Sequence, residues 1–274
     1  MLDEKTLSIN QWMRIIDNIA ASGVVKRVNL AGGEPFMLPK YVIEILKYAK
    51  SKGIETSVIS NGVNISESIF SKIDEWVDML GISCDSGSDE INLLIGRHKR
   101  ETEETDKPHC YHVRKVAKMC KEKGKYFKIN TVICRENVND DSIFKLINEI
   151  QPNRWKVFRV LKIDNENGVE KDERPPYEGY ITDEEFIAWQ GKCEKYCNIK
   201  PVYENNDDML DSYIQIDEEG YLLDSSSGSK LRSFNMLTDD FGESLNKIGF
   251  NKQKFINRGG FFNFNQRSTD IEDI

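Results

Sequence analysis

The chain has 274 residues, a formal net charge of −8, 39% hydrophobic and 31% charged residues. That is ordinary for a soluble globular protein and long enough for one large α/β domain, while the acidic balance speaks against general nucleic-acid binding, which needs a basic field. No apolar run approaches the roughly 18 residues of a membrane span and no secretory signal opens the chain, so the cytoplasm is the expected location. The six cysteines are scattered and read as reduced thiols.

Ser8 followed by Gln11 fits a capping box, and Trp12, Ile15, Ile16, Ile19 and Ala20 recur at helical spacing up to a stop at Gly23. The chain therefore opens on a helix. A strand is expected over 25–30, where Val25, Val28 and Leu30 are apolar, ending at Gly32-Gly33-Glu34-Pro35. Two glycines after a strand let the backbone approach a ligand, and Glu34 stands at the carboxyl end of the strand, where α/β folds keep their chemistry. Further elements follow in alternation: a helix with Val42, Ile45, Leu46 and Ala49 on one face, a strand over 54–60, a helix from Ser66 to about Trp76, and a strand from Met79 to Cys84. The polar run from His98 to Lys107 reads as a solvated loop. A helix carrying Val113, Val116, Ala117 and Cys120 leads to a strand over 126–133, a helix over about 140–150 and a strand over 154–161. Residues Asn165 to Gly179 read as a surface loop, followed by a helix over 182–197. Tyr213 to Asp217 and Tyr221 to Asp224 are strand-like, and a last helical stretch is expected near 239–257 before Arg258-Gly259-Gly260. Strand alternating with helix means βαβ units and about five parallel strands, with a helix where a regular barrel would have its first strand. The fold expected is α/β, an open, partial (β/α) barrel.

Residues two apart on a strand share a face. Lys128 and Asn130 therefore point together, opposite Phe127 and Ile129; Arg154 and Lys156 share a face opposite Trp155 and Val157. Such faces look either at solvent along an open sheet edge or at an anionic ligand with several charges, such as a triphosphate, because an unpaired buried ammonium costs several kcal/mol. Arg258 before Gly259-Gly260 could complete a phosphate clamp, since guanidinium binds phosphate oxygens bidentately. Ser60-Asn61-Gly62 and Asp85-Ser86 end consecutive strands and would line one rim with the Gly-Gly-Glu turn; Arg97 lies just beyond and could meet a carboxylate. Cys193 and Cys197 are neighbours on a helix face, yet two thiols do not complete a four-ligand site, and buried inert cysteines are expected. The three histidines carry no assigned role.

Together these residues make the chain resemble the viperin family. Gly-Gly-Glu-Pro is similar to the S-adenosylmethionine-binding turn of radical enzymes generally. More particular are Gly81-Ile-Ser-Cys-Asp-Ser86, Leu94-Ile-Gly-Arg97, Phe127-Lys-Ile-Asn130, Asn153-Arg-Trp-Lys-Val-Phe158, Asp211-Ser-Tyr213 with Asp217-Glu218, and Arg258-Gly-Gly260, in the family's order from about Ser8 to Gly260. The resemblance implies a partial (β/α)6 barrel of the radical S-adenosylmethionine type, here lacking its first strand, with residues 1–200 as core and 201–274 as a C-terminal extension closing the nucleotide site. It implies a lyase, an S-adenosylmethionine-dependent nucleotide dehydratase acting in antiviral (anti-phage) defence. A 5′-deoxyadenosyl radical would convert a ribonucleoside triphosphate to its 3′-deoxy-3′,4′-didehydro form, with S-adenosylmethionine and a [4Fe–4S] cluster as cofactors and an electron donor for the cluster as partner. By motif, Gly32, Gly33, Glu34, Ser60 and Arg97 would hold S-adenosylmethionine; Lys128, Asn130, Arg154, Lys156 and Arg258 the nucleotide; and Tyr213 would donate a hydrogen atom or proton. The family binds its cluster through Cys-x3-Cys-x2-Cys just before the first helix, a motif this sequence does not contain, so no residue is assigned as a metal ligand. The chain as written is expected to be inactive, its first segment lying upstream of Met1 in the gene; the alternative is a catalytically inactive nucleotide-binding protein.

Overall fold

The computed structural model describes residues 7–97, 107–161, 178–226 and 230–264. Most of the two loops expected over 98–107 and 165–179 lies outside the described residues.

The first helix, α1 (Ile9–Ala21), starts where the capping box requires: Ser8 accepts from the Gln11 amide at 3.3 Å, and the Gln11 carboxamide accepts from the Ser8 amide at 2.9 Å. The main sheet then grows in sequence order through β1 (Arg27–Leu30), β2 (Glu55–Ser60), β3 (Met79–Ser83), β4 (Tyr126–Ile133), β5 (Arg154–Arg159) and β6 (Val202–Glu204), every neighbouring pair parallel. Between them lie α2 (Pro39–Ser51), α3 (Glu67–Ile73), α4 (Asp89–Ile95), α5 (His109–Glu122), α6 (Ser142–Ile150) and α7 (Asp183–Tyr196). The six strands form a curled half-barrel. The sixth strand, three residues long and just inside the expected extension, is too short for a periodic pattern to show, which is why the sequence predicts only about five.

Alternation along the strands sorts the two faces. Phe127, Ile129, Trp155 and Val157 join the larger hydrophobic cluster with residues of α2, α3, α5, α6 and α7, while Lys128, Asn130, Arg154 and Lys156 turn to the other face. Trp155 satisfies its indole by donating to the Thr131 hydroxyl at 3.0 Å.

Beyond β6 come a short helix α8 (Asn206–Met209), an antiparallel sheet of β7 (Gln215–Ile216), β8 (Tyr221–Asp224) and β9 (Leu231–Asn235), then α9 (Phe241–Leu245) and α10 (Lys252–Asn257). The single helix expected near 239–257 is thus two short ones, because Asn251 caps a new helix by accepting from the Lys254 amide at 3.0 Å. Strand β7 is shorter than the expected 213–217. Asp211 takes a positive φ of 53°, and Tyr213 directs its hydroxyl to Glu204 rather than entering a ladder.

A second hydrophobic cluster joins α1 (Ile15, Ile16, Ile19) and α2 (Ile45, Ala49) to Leu222, Met236, Phe241 and Ile248. Asn18 ties the same parts together, donating to the carbonyls of Met236 and Asp239 at 3.0 and 2.7 Å and accepting from the Phe241 amide at 2.9 Å. Among the described residues no helix is long and apolar enough to cross a membrane.

Candidate functional site

After β1 the backbone turns through Gly32 and Gly33 at φ of 94° and 53°, values that side-chain-bearing residues seldom adopt, and a Cβ at either would point into open space. Glu34 follows in extended conformation, with Pro35 opening a 3-10 turn over Pro35–Met37. Its carboxylate is committed on both sides. Oε1 accepts from the Ser60 hydroxyl at 2.7 Å and the Phe36 amide at 3.1 Å, and Oε2 accepts from the Asn61 amide at 2.8 Å. Glu34 therefore pins the turn after β1 to the end of β2, and Ser60 is buried by the arrangement.

At the end of β3, Asp85 is buried and accepts from the Val132 amide at 2.8 Å and from Arg97 Nε at 2.5 Å. Burial acts to lower the Arg97 pKa, but Asp85 outweighs it and the guanidinium is held above its usual range. The carboxylate that Arg97 meets thus belongs to this chain. Glu34, Ser60 and Asp85 end consecutive strands along one rim, as the sequence reading expected.

The cationic faces are not at a solvent edge, which corrects that alternative: Lys128, Arg154, Lys156 and Arg258 are all buried. Register sets Lys128 beside Arg154 and Asn130 beside Lys156, with Gly81 and Ser83 as their neighbours on β3. Arg258 arrives from the end of α10. The group converges on Glu204 of β6, which is fully buried. Lys156 and Arg258 form ion pairs with it, the latter at 2.7 Å, and the Tyr213 hydroxyl donates to its other oxygen at 2.6 Å. Arg258 also donates to the Ser212 carbonyl at 2.6 Å and lies 3.8 Å over the Tyr213 ring. Arg154 donates to the Gly259 carbonyl at 2.5 Å and stacks 4.0 Å from the Phe262 ring, where Arg27 lies against Phe262 and Phe264 at 4.5 and 3.6 Å. The segment after α10 therefore runs past the amino-terminal ends of β1 and β5.

Among the described residues four buried cations face one carboxylate, and the imbalance is visible atom by atom. Among the described residues Lys128 has no hydrogen-bond or ion-pair partner, and Arg154 Nε and Nη1, Arg258 Nε and the Asn130 side-chain oxygen are likewise unpaired. Burial, then repulsion from Lys156 and Arg154, pushes the Lys128 ammonium well below its ordinary value. Burial lowers Lys156 to about 8 in spite of Glu204. Burial alone would raise Glu204, but Lys156 and Arg258 hold it below the usual carboxylate range, while burial and then Glu204 push the Tyr213 phenol up. Such a site is short of negative charge, and an anionic ligand would supply it. Glu204 is not singled out by the sequence, because its three-residue strand is too short to carry a periodic signal.

Of the six thiols, five are buried and Cys197 is half-buried, as expected of inert cysteines. Burial raises Cys120 to about 12. Among the described residues no three His, Cys, Asp or Glu side chains gather where they could hold a metal ion. His109 and His112, which the sequence leaves without a role, are buried on α5.

Residues 2–149 match the Radical SAM superfamily. In fold the chain is similar to Streptococcus suis SuiB (TM-score 0.61, 14% identity, 93% of this chain and 62% of SuiB) and to native anSMEcpe with bound AdoMet (TM-score 0.62, 13% identity, 90% and 72%). Proteins named S-adenosylmethionine-dependent nucleotide dehydratase are similar along most of its length. That of Danio rerio, RSAD2, is 35% identical over 253 residues, covering 90% of this chain and 68% of its own. That of Flammeovirga pacifica is 28% identical over 262 residues, covering 96% and 86%. The chain belongs to the radical SAM superfamily and, within it, to the viperin-like family of S-adenosylmethionine-dependent nucleotide dehydratases. The cofactors of that class are S-adenosylmethionine and a [4Fe–4S] cluster. The open glycine turn and the Glu34–Ser60 rim fit the first; no thiolate set for the second lies among the described residues.

Proposed function

We propose that the protein is a lyase that removes water from a ribonucleoside triphosphate to give its 3′-deoxy-3′,4′-didehydro form, in antiviral, anti-phage defence in the cytoplasm. The observation that carries this reading is the buried cation group, four positive side chains with Glu204 as the one carboxylate found among them within the described residues. S-adenosylmethionine, when bound and given one electron from a reduced [4Fe–4S] cluster, would supply a 5′-deoxyadenosyl radical with methionine as the leaving group; no ligands for that cluster lie among the described residues.

In this reading Gly32, Gly33, Glu34, Ser60 and Arg97 hold S-adenosylmethionine on the rim, Arg97 being oriented by Asp85. Lys128, Asn130, Arg154, Lys156 and Arg258 hold the triphosphate, and residues 201–274 close that site by bringing in Arg258 and Tyr213. Tyr213 keeps its proton because burial and Glu204 both disfavour the phenolate, so it is suited to donate a hydrogen atom or a proton. Calorimetry with a nucleoside triphosphate tests the reading. Micromolar-range binding is expected for the wild-type chain, weakened about tenfold or more by Lys128→Ala or Lys156→Ala as charge-assisted contacts are lost. Absence of binding, or binding indifferent to both changes, would overturn it.

A second reading, a nucleotide-binding protein without catalysis, is favoured by one observation: no metal-binding group of thiolates among the described residues. It predicts the same triphosphate binding but no in-frame codons for Cys-x3-Cys-x2-Cys shortly upstream of Met1 in the gene.

A further inference from the structure

Glu204 sits at the end of β6 with no exposure to solvent, and both of its oxygens are engaged: one by Lys156 and Arg258, the other by Tyr213. Lys156 and Arg258 are donors that the nucleotide reading gives to phosphate. A carboxylate and a phosphate make the same demands on such donors, a forked pair from guanidinium and a point charge from ammonium. Two anions cannot share one set of buried donors without strong repulsion. Without any anion, Lys156 and Arg258 would join Lys128 and Arg154 as poorly compensated buried cations, which costs more than a paired arrangement.

We infer that Glu204 is an internal anion standing in for a ligand phosphate: it holds Lys156 and Arg258 in place before the ligand arrives and then competes with the ligand for them. The inference rests on the nucleotide-binding reading above and adds a positioning residue to it. Glu204 therefore weakens polyphosphate binding, and this lets a multiply charged ligand leave a site otherwise built from cations. The hydrogen bond from Tyr213 links the same carboxylate to the phenol, so the competition occurs beside the proposed hydrogen donor.

The test is calorimetry with inorganic tripolyphosphate on the wild-type chain, Glu204→Gln and Glu204→Asp. Glu204→Gln is expected to bind on the order of tenfold or more tighter than wild type, because a like charge next to the ligand is gone; Glu204→Asp, which keeps the charge, is expected to stay near wild type. A merely structural role moves affinity the other way, so equal or weaker binding by Glu204→Gln overturns the inference and leaves the nucleotide reading standing. Should Glu204→Gln show no cooperative thermal transition alone, tripolyphosphate restoring that transition supports the inference, since the ligand then replaces the lost anion. Failure to restore it at saturating tripolyphosphate overturns it. No binding by the wild-type chain overturns the nucleotide reading and this inference with it.

Discussion

Lys128 shows how a single side chain is held at a cost. Its side chain is largely buried, makes no hydrogen bond or ion pair among the described residues and faces three other cations. Replacing it with Met, similar in length and uncharged, is expected to raise stability by about 1–3 kcal/mol at neutral pH, while weakening triphosphate binding. The gain should depend on pH in a definite direction. Because burial depresses the folded-state pKa below the ordinary 10.5, the unfolded chain holds more protons between the two values. Wild-type stability from this lysine therefore rises as pH climbs from the folded value towards 10.5, and the advantage of Lys128→Met should shrink across that window. Urea unfolding of the pair from pH 7 to 10 measures it; an advantage that grows with pH would refute the account. Glu34 is the opposite case, a charge fully used: Glu34→Ala removes three hydrogen bonds and should abolish S-adenosylmethionine binding, read by equilibrium dialysis. The face shared by Lys128 and Asn130, and by Arg154 and Lys156, was legible from strand alternation alone. Their burial was not, because alternation does not say which face closes. Nor were the Asp85–Arg97 pair and the role of Glu204, which depend on long-range placement rather than on spacing.

At the scale of elements, strong periodicity and caps carried the reading. Helix α1 begins at its capping box, and Ser8→Ala should cost about 1 kcal/mol, seen as a melting temperature lower by a few degrees. The strands over 126–133 and 154–161 were readable because Phe127, Ile129, Trp155 and Val157 alternate cleanly with polar partners. Strand β6, with three residues, and the paired short helices α9 and α10 were not, since each is too brief for a period to register. Contacts between elements are a further layer that sequence does not show. A Cβ at Gly87 would lie 2.3 Å from the backbone oxygen of Ser142, so the loop after β3 can sit against α6 only as glycine. Gly87→Ala should cost about 1–3 kcal/mol, and thermal unfolding followed by circular dichroism should show it.

For the whole molecule, residues near the C-terminal end of the described chain meet the cation group of the parallel sheet. Arg258 reaches Glu204, Gly259 receives Arg154, and Phe262 and Phe264 stack on Arg27 and Arg154. A chain ending at Asn257 is expected to keep its far-ultraviolet circular dichroism and its S-adenosylmethionine affinity yet lose triphosphate binding by tenfold or more, roughly the worth of a charge-assisted guanidinium contact. Equal triphosphate affinity in the shortened chain would contradict the placement of Arg258 at the ligand.

The bridge made by Asn18 has a consequence for biosynthesis. The apolar side chains Ile15, Ile16 and Ile19 leave the ribosome well before part of their cover, Met236, Phe241 and Ile248. For most of translation that stripe stays uncovered on one side, a sticky surface on a nascent chain whose half-barrel can already be assembling. The protein should therefore depend on holding chaperones during synthesis more than its strand-by-strand sheet order would suggest, and slowing the ribosome over the final third of the message should lower its soluble yield.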